Sequence, residues 1–308
     1  MAVNVGQLIT EAEYTTLRSG INLVMGTPTG TGTGAAGYNQ ATTAPAISPG
    51  DKITAAAWNA LNADFAKAYT HQTGAAYSPA LATVNTDSKI TKDVHDKLET
   101  AVNFIKNAAN RFSLGAGQFS TVSASNRTVA NWNGTQVHDR TFTWASDADA
   151  RAFFNAGGQL KFVTTLSGGD GGAKYNDWVA MVNGVGTVTM NYIDASRSGT
   201  SGTVVSDGYY DLNTTARYLV SKAGTTPYAE NDYQVEARAI TNGVRIRLIY
   251  RDDDAGDQRA IVGRGPAGPA VDENVTGTLT STMSYVRATG TNVQVAAPTI
   301  ADGGTSTF

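Results

Sequence analysis

Two alternating runs on either side of Asn242-Gly243 constrain this chain more than anything else in it. Tyr233, Val235 and Ala237 alternate with Gln234, Glu236 and Arg238; beyond the turn, Val244, Ile246, Leu248 and Tyr250 alternate with Arg245, Arg247 and Ile249. Successive strand side chains point to opposite faces, so each run has one apolar and one largely polar face. Asn-Gly is a favoured pair for a two-residue type I′ turn, and the stretch predicts an antiparallel hairpin with one buried face.

The segment 141–167 extends this reading. Phe142 and Trp144 alternate with Thr141, Thr143 and Ala145, which predicts a half-buried strand. A short helix follows, with Asp147 or Asp149 as its cap, Phe153 and Phe154 turned inward and a stop at Gly157-Gly158. Leu160, Phe162 and Thr164 then alternate with Lys161 and Val163 in a second strand. Further strand patterns run through 187–192 and 278–289, and a helix carrying Trp178, Met181 and Val182 ends at Gly184. About seven or eight strands separated by turns suggest a sandwich elaborated by short helices.

The amino-terminal third has helical periodicity instead. Thr10-Glu11-Ala12-Glu13 forms a capping box ahead of Tyr14, Leu17, Ile21 and Val24. A second helix begins near Thr54 and carries Trp58, Leu61 and Phe65; a third, capped by Thr91, carries Val94, Leu98, Val102 and Ile105. Glycine- and threonine-rich arms at 27–49 and 74–87 separate them, longer than most loops inside a compact domain. Three amphipathic helices on long tethers form no deep core easily. The ten apolar residues Tyr14, Leu17, Ile21, Trp58, Leu61, Phe65, Val94, Leu98, Val102 and Ile105 are therefore expected to bury against other copies or a neighbouring protein. The fold class is α+β. A helical and extended docking region spans 1–114, a Ser/Asn/Gly-rich linker 115–134, an antiparallel β-sandwich-like domain with inserted short helices 135–299, and a flexible tail 300–308.

Composition narrows the function. The 308 residues include no cysteine, which excludes a disulfide scaffold and thiolate zinc sites. A net charge of −3 gives no basic footprint for nucleic acid. No apolar run approaches the ~20 residues needed to span a membrane, and the start lacks the basic and apolar regions of a secretory signal. Neither a nucleophile elbow nor a phosphate-loop ending is present.

Three candidate sites remain. Asp252, Asp254 and Asp257, with Asp272 and Glu273 in a later loop, supply oxygen ligands around a glycine, as calcium requires, but lack the bidentate glutamate of an EF-hand. The bland alternative is a solvated acidic loop, and no other cofactor is indicated. Tyr209, Tyr210 and Tyr228 lie near turns and would stack on sugar rings if exposed, whereas Trp144 and Trp178 read as core. His71, His95 and His138 are too dispersed to form a local ligand motif.

The words ARAFFNAGGQLKF, NDWVAMVNGVGTVTMNY, GYYDLNTTARYLV, PYAENDYQVEARA, LIYRDDD and DENVTGTLTSTMSYVRATG resemble a family of tailed-bacteriophage virion structural proteins, variously neck, collar, tail or fibre components. The resemblance runs from about 142 to 298, with a looser one through ITEAEYTTL, GYNQ, ITAAAWNAL and THQTG. It implies a non-enzymatic virion component that is assembled in the host cytoplasm. The amino-terminal region would dock on other virion proteins and the β domain would project or bridge, in a homo-oligomer whose favoured state is a trimer. The alternative is an adhesin that binds host surface glycan.

Overall fold

The computed structural model describes residues 9–86, 88–253 and 274–307. Two compact units are present, each built from three separate stretches. The first comprises Met1–Ser120, Ser146–Gly158 and Arg287–Ala297; the second comprises Thr121–Ala145, Gln159–Val286 and Pro298–Phe308.

Helices α1 (Glu11–Met25), α2 (Ala55–Thr73), α3 (Lys92–Lys106) and the short α4 (Ala108–Arg111) build the first unit, together with α5 (Asp147–Asn155). Threonine hydroxyls start the three long helices. Thr10 accepts from the Glu13 amide, with the Glu13 carboxylate returning to the Thr10 amide, while Thr54 and Thr91 accept from Ala57 and Val94. The cap of α5 is Ser146, which accepts from the Asp149 amide, rather than either expected aspartate; Asp147 and Asp149 instead lie in the first turn, where the helix dipole favours them.

The tethers between these helices are internal structure. In 27–49, Ala35, Ala36 and Tyr38 are fully buried. The backbone amides of Tyr38, Asn39 and Gln40 donate to Val24, Gly26 and Met25 at the end of α1. The Tyr38 hydroxyl donates to the Arg111 carbonyl and accepts from Gln72 Nε2 at 2.8 Å. Further along, Asp64 on α2 accepts from the amides of Thr43 and Ala44 at 2.6 and 2.9 Å. The second tether is held by Asn59, which exchanges two hydrogen bonds with the backbone of Val84, and by Tyr77, whose ring meets Phe65 and Tyr69 at 5.0 Å. The tethers therefore close over their own helices.

Helix α5 was expected to be part of the β domain, but it packs with the first unit. Asn155 Nδ2 donates to the carbonyls of Ala36 and Gly37, and His71 Nε2 bonds the Ala156 carbonyl at 3.1 Å. Only long-range contact places this helix, and its sequence neighbours conceal that.

Among the described residues the second unit is an antiparallel sandwich with one α-helix, α6 (Ala173–Val185), which ends at Gly186 rather than Gly184. Its strands are β1 (Phe119–Trp132), β2 (Gly134–Thr143), β3 (Gln159–Ser167), β4 (Val188–Met190), β5 (Ala195–Arg197), β6 (Thr203–Val204), β7 (Arg217–Ala223), β8 (Asp232–Ile240), β9 (Gly243–Asp252), β10 (Val275–Ala288) and β11 (Thr299–Asp302). One sheet has the order β1-β10-β3-β4-β5, the other β11-β2-β9-β8-β7-β6. The expected α+β class with a carboxy-terminal β domain is what the chain adopts.

A buried polar seam stitches the two inner faces. His138 on β2 bonds Ser125 on β1 at 2.9 Å and Ser281 on β10 at 2.8 Å. Tyr250 on β9 donates to Ser281 and also meets Thr164 on β3, which in turn bonds Tyr233 on β8. The Tyr233 and Tyr250 rings stack at 5.2 Å. Each hydrogen bond of the chain crosses from one sheet to the other, so alignment of the sheets is coupled to satisfaction of buried groups.

Three expectations for this unit are corrected. The 115–134 bridge is mostly strand β1, because a run of Ser, Thr and Asn has the composition of a loop but alternates well enough for a solvated strand. The hairpin forms between the expected arms, with Ile240 opposite Gly243, so its two loop residues are Thr241 and Asn242. Only Asn242 of these takes positive φ, 54°, which rules out a type I′ turn. Finally, the tail is docked. Thr299–Asp302 pairs with β2, and Thr305 donates to Asp139 through both its amide and its hydroxyl. Thr307 and Val137 then exchange bonds.

Candidate functional site

An antiparallel sandwich leaves four sheet edges, and exposed edges offer unpaired main-chain donors and acceptors. Three of the four here are blunted by brevity: β5 has three residues, β6 two and β11 four. The fourth, β1, has fourteen, FSTVSASNRTVANW, with no proline and a single charge at Arg127. Every residue of it except Trp132 is exposed or half-exposed, and Phe119 at its start is 45% exposed. Among the described residues no strand pairs with its outer side. A long, nearly uncharged edge lacks the devices that usually prevent strand addition. It presents fourteen residues of edge main chain.

The ten apolar residues expected at an intermolecular interface lie elsewhere. Tyr14, Leu17, Ile21, Trp58, Leu61, Phe65, Leu98, Val102 and Ile105 are all 3% exposed or less, packed inside the first unit, and Val94 is half-buried. The periodicity was sound, but the faces meet one another: α1 packs on both α2 and α3, and α2 on α3.

Of the acidic cluster, Asp252 ends β9 buried, with its carboxylate 2.8 Å from the Lys174 ammonium of α6. A carboxylate already balanced by a buried cation is not an open calcium ligand. Asp254 and Asp257, like Asp272 and Glu273, lie outside the described residues.

The three tyrosines do not form a common platform of exposed rings. Tyr228 is 3% exposed, whereas Tyr209 and Tyr210 are half-buried on a short 3-10 turn, their rings edge to face at 5.0 Å.

The histidines are structural or interior. His71 and His138 are fully buried, and burial drives both imidazoles down to about 4, so they are neutral at pH 7. At His138 the nearby Arg140 and Arg127 push in the same direction. The one group of metal-ligand type among the described residues is His95, Asp96 and Glu99 on α3. There Asp96 is already bound by the Lys92 ammonium and by His95 Nδ1 at 3.2 Å. A lysine on a ligand carboxylate opposes a second cation.

Sequence reasoning missed Asp139, whose buried carboxylate takes Arg245 through two nitrogens at 2.9 and 2.5 Å as well as Thr305. It missed Asn155 as well. The Arg245–Asp139 pairing was foreshadowed by the polar face of β9; Asn155 gave no local signal. Among the described residues no helix is long and apolar enough to cross a membrane.

No protein-family model matches this chain, and neither a curated protein nor a solved structure matches it.

Proposed function

We propose that the protein is a non-enzymatic structural component of a tailed-phage particle, one that joins neighbouring subunits through the edge of its β sandwich. The single observation that carries this reading is β1: fourteen residues of open sheet edge in a unit whose three other edges are cut short. The sequence resemblance to neck, collar, tail and fibre proteins supports it from a separate direction. Strand addition gives affinity through main-chain hydrogen bonds, and the alternate side chains give register. It needs no deep pocket and no cofactor. Docking through the amino-terminal unit uses that unit's outer surface, since the apolar helix faces are already occupied.

The test uses the full chain and a variant carrying Thr121→Lys, Ser123→Lys and Thr128→Lys, three exposed positions along β1. Native mass measurement should show the wild-type chain as an oligomer, and labelled protein should decorate particles in electron micrographs. The variant should keep its circular dichroism and melting temperature while becoming monomeric and failing to incorporate. Unchanged oligomerisation and incorporation in the lysine variant would remove β1 from assembly.

A further inference from the structure

The outer face of the six-stranded sheet carries a charge imbalance at one point. Across β8 and β9 the register opposes Asp232 to Arg251, Gln234 to Ile249, Glu236 to Arg247 and Arg238 to Arg245. The first and third of these are ion pairs, at 3.2 and 2.8 Å. Arg245 is drawn the other way, onto the Asp139 carboxylate of β2. Arg238 is left directly opposite a like charge, and among the described residues it has no carboxylate or other hydrogen-bond partner. Like charges facing across an antiparallel pair destabilise it.

Two further observations fall at the same place. A cavity of about 70 Å³ opens there, lined by Ala216, Glu236, Ala237, Arg238, Arg245 and Arg247. Arg247, whose Nη1 holds Glu236, keeps its buried Nε–H without an acceptor. Three guanidiniums against the carboxylates of Glu236 and Asp139 leave one positive charge. Ala216, exposed just before β7, leaves room for a small group above the sheet. The site therefore offers unsatisfied planar donors, a net positive charge and a space of the size that holds a few waters or one oxyanion head group.

We propose that this cavity is an oxyanion subsite, centred on Arg238, that takes a carboxylate or phosphate group. Guanidinium forks match the paired oxygens of both groups, and an anion seated between Arg238 and Arg245 would convert a repulsive pair into a bridged one. Glu236, already held by Arg247, would repel an anion too large to stay on the Arg238 side. The subsite does not depend on the assembly role of β1, which lies in the other sheet.

Isothermal titration of the full chain at pH 7 with sodium phosphate, sodium acetate and sodium glucuronate tests this, with sodium chloride at matched ionic strength as the control. Saturable binding of at least one oxyanion is expected, weakened about tenfold or more by Arg238→Gln. Glu236→Gln, which removes the competing negative charge, should tighten it. Phosphate binding alone would point to a phosphorylated ligand, and a preference for glucuronate over acetate to an acidic sugar. The proposal is overturned if no oxyanion binds, if chloride reproduces the heat, or if Arg238→Gln binds as the wild type does.

Discussion

Asp139 has the most to lose from a single-atom change. Its carboxylate is fully buried and holds Arg245 and Thr305, while its backbone carbonyl accepts from the Gly303 amide and the Ser306 hydroxyl. Burial alone would raise its pKa, but the Arg245 and Thr305 bonds outweigh that and hold it below the usual carboxylate range. Asp139→Asn leaves Arg245 without its counter-charge, and breaking one partner of a buried pair typically costs about 3–5 kcal/mol. Urea unfolding should show a loss of that order, and limited proteolysis should release the 303–307 tail first. At the same scale, His71 and His138 set the acid response. Each has a folded-state value lowered from 6.5 to about 4, so the fold favours the neutral ring. Their contribution is complete above pH 6.5 and is withdrawn as the pH falls through that value towards 4. The limit is roughly 3 kcal/mol for each ring. Carboxylates such as Asp139 and Asp64, held low, contribute above the ordinary carboxylate value and are lost only in more acid solution. The urea midpoint should therefore fall between pH 7 and 4.5, before the carboxylates titrate. A flat profile across that interval would contradict the neutral, buried assignment.

Among the elements, the β8–β9 hairpin separates two reasons for a glycine. Read from sequence, Gly243 belongs to the turn and needs positive φ. In the fold it is the first residue of β9, opposite Thr143 of β2, and its φ is not positive. A Cβ at that position would lie 2.1 Å from the Phe142 carbonyl oxygen and 2.9 Å from the Thr143 Cα, both main-chain atoms that cannot turn aside. Gly243→Ala should therefore destabilise by about 1–3 kcal/mol, as overpacking does, through separation of β2 from β9. Asn242→Gly, at the position that does take φ 54°, should be nearly neutral. The paired unfolding midpoints distinguish packing from turn geometry, and equal losses in both variants would restore the turn explanation. The same hairpin shows what local pattern reveals. Alternation found the arms and their buried faces because burial on one side of a strand imposes a period of two. The threonine caps at Thr10 and Thr91 were equally legible, since capping is a contact within four residues. Strand β1 was not, because Ser, Thr and Asn serve loops and solvated strands alike. Nor was the ion pair of Asp252 with Lys174, whose partners are remote in sequence. The Arg238–Arg245 opposition lay between: it follows from the hairpin register once the loop residues are known to be 241 and 242.

For the molecule as a whole, the decisive fact is that the first unit is not the first third of the chain. Composition placed its limit at 114, but Ser146–Gly158 and Arg287–Ala297 belong to it as well. Their contribution is specific. Asn155 satisfies the carbonyls of Ala36 and Gly37 in the first tether, and the Ala156 carbonyl is the partner of the buried His71. Phe153 and Phe154, both fully buried, fill the core with rings 5.0 Å apart. Gln40 exchanges bonds with the Gln294 backbone. A fragment of residues 1–114 would lose all of these and expose the surface they cover. Deleting even one buried phenylalanine costs about 3–5 kcal/mol, against a total stability of about 5–15 kcal/mol for a typical domain. The fragment should thus retain helix by circular dichroism yet melt without a cooperative transition, and its 27–49 tether should be cut readily by protease. The full chain carrying the three β1 lysine substitutions, a monomer, should melt cooperatively with both tethers protected, because their burial is intramolecular. Were the 1–114 fragment to melt as sharply as the full chain with the tether intact, the later segments would be accessories to a core that the helices complete unaided.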